Sequence, residues 1–230
     1  VLSLLGKTDN AISVYQKAIE LDNKNGNYFY LLAKELKKAG NYEDAKEKII
    51  AAISISSLVE YRKLLAELYF ITRKFKDAED ECRKVFEVAK DFDLETLCIL
   101  IPALYHQSRY GDVIDTCEKY PQKIETGKTT NDTVFCIARA YSKLSKFEEA
   151  IRWYKQLLEK EERTDAWYYL GCALSHKEKF DEALTAFHKV VGNGSHYDVL
   201  ASLQCGHVFF RTGKIKEAEE SYQRAYSIEP

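Results

Sequence analysis

Methionine is missing from all 230 residues, and chain-breaking residues are scarce, with only three prolines and ten glycines. So few breakers favour long uninterrupted helices over a turn-rich β fold. Charge of one sign is not in excess either: the formal balance is −2, with 30% charged and 46% hydrophobic residues. That balance gives no global pull toward nucleic acid or an anionic membrane, and it is ordinary for a soluble folded chain. No apolar run approaches the ~20 residues that cross a bilayer, so membrane insertion is not expected. The opening VLSLLG has neither a basic leader nor a small-residue cleavage site, so no signal peptide is expected.

Signatures of catalysis are lacking as well. There is no phosphate loop, GxSxG elbow or HExxH, and the six cysteines form no CxxC and no Cys/His pair at metal-ligand spacing. No enzyme activity, cofactor or metal is therefore expected. Cys82, Cys98, Cys117, Cys136, Cys172 and Cys205 read as reduced structural thiols in a cytoplasmic, reducing compartment, because a free cysteine packs as a small hydrophobe. Cys172 and His176, four apart on one helix face with His207 in the next repeat, could form a nucleophile pair, but packing is the simpler reading. Glycosylation sequons at Asn131 and Asn193 are discounted as short chance matches.

What the chain does have is a period. A small residue recurs at Ala11, Ala45, Ala78, Val113, Ala150, Ala183 and Ala218, with spacings of 34, 33, 35, 37, 33 and 35. Twelve residues before six of these anchors stand Ala33, Ala66, Ile101, Ala138, Gly171 and Gly206, where small side chains let helices approach closely. Three before them come Tyr42, Phe75, Tyr110, Phe147, Phe180 and Ile215; four after come Ile49, Cys82, Cys117, Tyr154, Phe187 and Tyr222. A period near 34 with two helices per unit is a repeat signature.

On these residues the whole chain resembles the tetratricopeptide repeat (TPR) family. The resemblance implies an all-α, right-handed α-solenoid of antiparallel helix pairs, about six and a half units long. The expected frames are 1–24, 25–58, 59–92, 93–129, 130–163, 164–197 and 198–230. A half unit opens the chain, with residues 1–5 ending one helix and 8–21 forming its partner. The full pairs are expected at 27–39 with 42–55, 59–72 with 75–89, 94–107 with 110–120, 130–144 with 147–160, 164–177 with 180–192, and 198–211 with 215–228. Without polar capping helices, the array is expected to be part of a longer protein or to self-associate through its ends. One unit is irregular: Pro102 lies inside a helix and predicts a kink, and Tyr120-Pro121 ends the next helix early. This is either a tolerated irregularity or a bend that divides the array.

By the same resemblance, such arrays hold a peptide or helix of a partner in a groove lined by first helices. Transferred to this sequence, the groove positions include Tyr30, Lys34, Lys63, Tyr105, Phe135, Arg139, Tyr168, His176, His207, Phe210 and Arg211. Exposed aromatic and arginine side chains suit partner contact. First-turn acids Glu60, Glu95, Asp132 and Asp165 complement helix dipoles. The family's clamp for a C-terminal carboxylate is matched by Lys63 alone, with Glu67 where its asparagine would be, so that specialisation is not expected. The expected function is a non-catalytic interaction scaffold or adaptor within a multi-protein assembly. The alternatives are the recruiting arm of a larger enzyme and a self-associating structural subunit. Tyr168→Ala should leave folding nearly intact on this reading.

Overall fold

The computed structural model describes residues 2–124, 128–192 and 194–228, with side chains from residue 8 onward. Among the described residues there are no strands, and the helices follow one another through short turns. The first seven are α1 (Leu2–Leu21), α2 (Gly26–Lys38), α3 (Tyr42–Ile55), α4 (Val59–Ile71), α5 (Phe75–Ala89), α6 (Leu94–His106) and α7 (Tyr110–Lys119). After these come α8 (Pro121–Ile124), α9 (Asn131–Lys143), α10 (Phe147–Leu158), α11 (Thr164–His176), α12 (Phe180–His188), α13 (His196–Arg211) and α14 (Ile215–Ile228). No helix among the described residues is long and apolar enough to cross a membrane.

The chain forms two compact units, Val1–Ser108 and Arg109–Pro230. In the first, α2 packs on α3 and α4 on α5; in the second, α9 packs on α10, α11 on α12 and α13 on α14. First helices also touch the next first helix, α2 with α4, α4 with α6, α9 with α11 and α11 with α13. They therefore form one layer in each unit, with second helices behind. The periodic anchors lie where the helices meet: Ala45, Ala78, Val113, Ala150, Ala183 and Ala218 are each at most 2% exposed. Removing this apolar surface from water holds the helix layers together.

The turn inside each pair has a fixed backbone. Gly40, Arg73, Ser108, Ser145, Glu178 and Gly213, each five residues before its anchor, all sit in the left-handed region at φ between 58° and 83°. That residue ends the first helix and lets the next N–H cap it, as in Asn41 N–H to the Leu36 carbonyl and Lys179 N–H to the Leu174 carbonyl. The second helix then starts on the residue three before the anchor, aromatic in five of six units. First helices are capped where side chains permit. Asn25, Asp93 and Thr130 accept from the N–H groups of Asn27, Thr96 and Thr133.

Two expectations change, at the opening of the chain and at the end of α12. The opening is one continuous helix, Leu2–Leu21, with no turn between residues 5 and 8. Gly6 is tolerated within a helix at modest cost, and neither Pro nor a capping turn interrupts it. The helix α6 runs through Pro102 as one element. The division between the two units falls just after it, inside the irregular repeat. The helix α12 stops at His188, short of residue 192, and turns through 189–192, where Gly192 takes φ 92°. Tyr120 does end α7, and Pro121 opens the one-turn α8, where a missing N–H costs nothing. Part of the polar connection that follows, and the sequon residue Asn193, lie outside the described residues.

Candidate partner-binding surface

The first-helix layer of the Val1–Ser108 unit carries Tyr30 and Lys34 on α2, Lys63 on α4, and Tyr105 on α6. Tyr30 stacks on buried Tyr61, ring centroids 5.0 Å apart, and Lys34 Nζ lies 5.3 Å over the Tyr30 ring. Lys63 reaches three carboxylates: Glu60 at 3.3 Å, Glu95 at 3.5 Å, and Asp93. Burial works against its charge. The bonds from Asp93 and Glu60 more than offset that and hold the ammonium pKa above the usual lysine value. Lys37 is likewise closed onto Glu67 at 2.7 Å. Glu67 and the first-turn acids Glu60 and Glu95 thus hold lysines of this same layer, which the sequence offsets alone did not show. Tyr105 meets the edge of His106 at 5.5 Å.

The two histidines just before a turn do the same thing in separate units. His106 lies flat on Phe75, 4.6 Å between centroids and 13° between planes, and His176 lies flat on Phe147, at 4.4 Å and 5°. Arg211, at the equivalent position one repeat further on, places its guanidinium 4.9 Å over Phe180. A planar group thus covers the aromatic that opens the preceding repeat's second helix. Burial and the charge of Arg73 push the His106 pKa down.

In the Arg109–Pro230 unit, the expected residues fall into two groups. Phe135, Arg139 and Tyr168 meet through two residues outside the transferred positions, Tyr169 and Tyr197. The Arg139 guanidinium is 3.3 Å from the Tyr169 ring centroid, and Phe135 is 6.0 Å from it. Tyr168 contacts Tyr169 at 5.0 Å, Tyr197 at 5.3 Å and the fully buried Phe187 at 6.2 Å. Tyr168→Ala would therefore remove packing as well as surface. Arg163, at the start of α11, covers Phe135 at 4.6 Å, forks onto Asp165 at 2.9 and 3.1 Å, and reaches Asp132 at 2.7 Å. The signal for these missed residues was present in the tyrosine pair at 168–169 and in the Arg-x-Asp run from 163 to 165.

The second group converges. His176, His207, Phe210 and Arg211 line one cleft of about 380 Å³ between α11 and α13, with Cys172, Ser175 and Gln204 completing its wall. Phe210 is 63% exposed there. His207 rests against the Tyr222 ring at 5.7 Å, and Arg211 donates to Glu178 at 2.8 Å. Burial raises the Cys172 thiol to about 11, so it is no ready thiolate nucleophile.

Burial raises Cys82, Cys117 and Cys136 to about 12, and all six cysteines are free. Among the described residues no group of three His, Cys, Asp or Glu side chains is gathered to hold a metal. Asn131, the first residue of α9, donates to Glu161 at 2.8 Å.

Residues 5–85 match a family model described as anaphase-promoting complex, cyclosome, subunit 3. Residues 137–198 and 202–230 match two models described as tetratricopeptide repeat. No curated protein matches the sequence. Among solved structures, the chain is similar to YrrB, a TPR protein with an unusual peptide-binding site (TM-score 0.68, 16% identity, 89% of this chain and 100% of that one). It is similar to the C-terminal part of a TPR repeat-containing protein from Cytophaga hutchinsonii (TM-score 0.72, 13% identity, 97% and 91%). A chain of the APC/C hetero-tetramer Cut9–Hcn1 is also similar (TM-score 0.61, 15% identity, 96% and 40%). At these identities the likeness is one of fold.

Proposed function

Because the chain belongs to the tetratricopeptide repeat family, we propose that it is a single-array, non-catalytic scaffold that holds a segment of a partner protein on its first-helix layer. The observation that carries this reading is the convergence of His176, His207, Phe210 and Arg211 on one open cleft, beside the Phe135, Arg139 and Tyr168 cluster. Aromatic rings and guanidinium groups give large contact area for little lost side-chain freedom. On the other unit Tyr30 and Lys34 lie together and Tyr105 stands two first helices on, whereas Lys63 is already committed to its acids. Membership of a multi-protein assembly is supported by the match of residues 5–85 to a subunit of one such complex. Six free thiols fit a reducing, cytoplasmic setting.

The test is affinity capture from native lysate with three chains: unaltered, His207→Ala with Phe210→Ala, and Lys155→Ala on the second helix α10. Both groove residues are exposed, so the double variant keeps its fold. Partners lost only from the groove variant support the reading. Partners kept by it but lost with Lys155→Ala move the interaction to the second-helix face and overturn it.

A further inference from the structure

Most basic groups of the first-helix layer are already matched by an acid of the chain itself. Lys37 holds Glu67, Lys63 is ringed by Glu60, Asp93 and Glu95, and Arg163 holds Asp165 and Asp132. In the cleft between α11 and α13 none of the lining residues carries a carboxylate, and the one acid on its guanidinium, Glu178, stands outside that lining. Its polar wall is Ser175, His176, Gln204, His207 and Arg211, every one of which can donate a hydrogen bond. Arg211 brings a guanidinium to this wall. Glu178 takes one of its nitrogens at 2.8 Å, but five N–H groups in a planar fork leave others to give.

The donors are also held in place. His176 lies flat on Phe147, Arg211 lies over Phe180, and His207 abuts Tyr222, so three of the five polar groups rest against rings before anything binds. Preorganised donors lose little freedom on binding. Beside them, Phe210 is an exposed apolar wall. A cavity of about 380 Å³ takes one or two side chains rather than a whole helix.

We propose that this cleft recognises an acidic side chain lying next to an apolar one in an extended protein segment. The carboxylate accepts from Arg211, His207 and Gln204, and the apolar neighbour covers Phe210. This rests on the first-helix reading above and names the chemistry of its partner. Phosphate of a nucleic acid is disfavoured because the chain is balanced at −2 and has no basic stripe.

The experiment measures fluorescence anisotropy of two labelled, end-blocked peptides on the full chain: Gly-Leu-Glu-Phe-Glu-Gly and its twin with Gln for both Glu. The acidic peptide is expected to bind about tenfold tighter, with the preference falling as salt rises. Gln204→Glu places a like charge in the cleft and should erase that preference, the acidic peptide losing more affinity than its amide twin. Arg211→Gln should weaken the acidic peptide more than its amide twin. Equal binding of the two peptides, both weakened by Phe210→Ala, would sink the carboxylate assignment yet leave the groove standing. Binding of neither peptide, together with partner capture indifferent to the groove variant, overturns both. A thymidine oligonucleotide that displaces the acidic peptide and binds more tightly also overturns the proposal.

Discussion

At Gly171 a methyl group is the difference between contact and collision. A Cβ built there would fall 2.5 Å from Phe187 Cε1, and Phe187 is fully buried with no room to retreat. Gly206 faces Tyr222 in the same way, but that ring is only half-buried and can swing outward. Gly171→Ala should therefore lower stability by about 1–2 kcal/mol, overpacking outweighing the gain in helix propensity. Gly206→Ala should stay within about 0.5 kcal/mol of the parent. Urea denaturation of both variants checks this, and equal losses would mean the two sites are equally rigid. The small-residue rule twelve before the anchor was visible in the sequence, because it repeats. Which ring can move was not, because that depends on how many neighbours surround it.

At the scale of the element, the turn joining each first helix to its second takes a left-handed residue, yet only Gly40 and Gly213 of six are glycine. A side chain in that conformation is strained by roughly 1 kcal/mol, less the extra freedom a glycine loses on folding. Ser145→Gly, at an exposed turn between α9 and α10, should raise stability by about 0.5–1 kcal/mol, and Gly213→Ser should lower it by a similar amount. Opposite shifts of the urea midpoint are the expected result; shifts of the same sign would mean strain does not govern the turn. In the sequence a glycine or a polar residue stands at this place in every full unit. The sequence did not show that Arg73 and Glu178 adopt the same backbone, since neither is a residue that prefers it.

For the whole molecule, repeat arrays gain stability from each unit and its nearest neighbours, so distant parts can unfold separately. Both tryptophans, Trp153 and Trp167, belong to the Arg109–Pro230 unit, so their fluorescence reports that unit alone. Leu68, fully buried in the Val1–Ser108 unit, gives the complementary handle. Leu68→Ala should cost about 2–5 kcal/mol there. The far-UV transition in urea should then begin well before the tryptophan transition, whose midpoint should hardly move. Coincident shifts of both signals would show instead that the array unfolds as one. The division itself was half legible: Pro102 and Val113 marked one repeat as irregular, but α6 continues through the proline and the units part only after it.

Order along the chain determined the helices, their pairing and the residues between them, because neighbours in such a fold are mostly neighbours in sequence. A small side chain at a regular interval can mean close packing and little else, so the period, anchors and turn positions followed from the residues themselves. The tertiary structure decided which surface groups cancel. Lys37 finds Glu67 thirty residues on, Arg163 finds Asp132 thirty-one residues back, and Arg211 finds Glu178 thirty-three back. Each partner lies about one period away, so the repeat makes such meetings available without saying which occur. Side-chain reach, competing charges and burial make the choice. They close Lys63 inside three acids and leave the cleft of His207, Phe210 and Arg211 open.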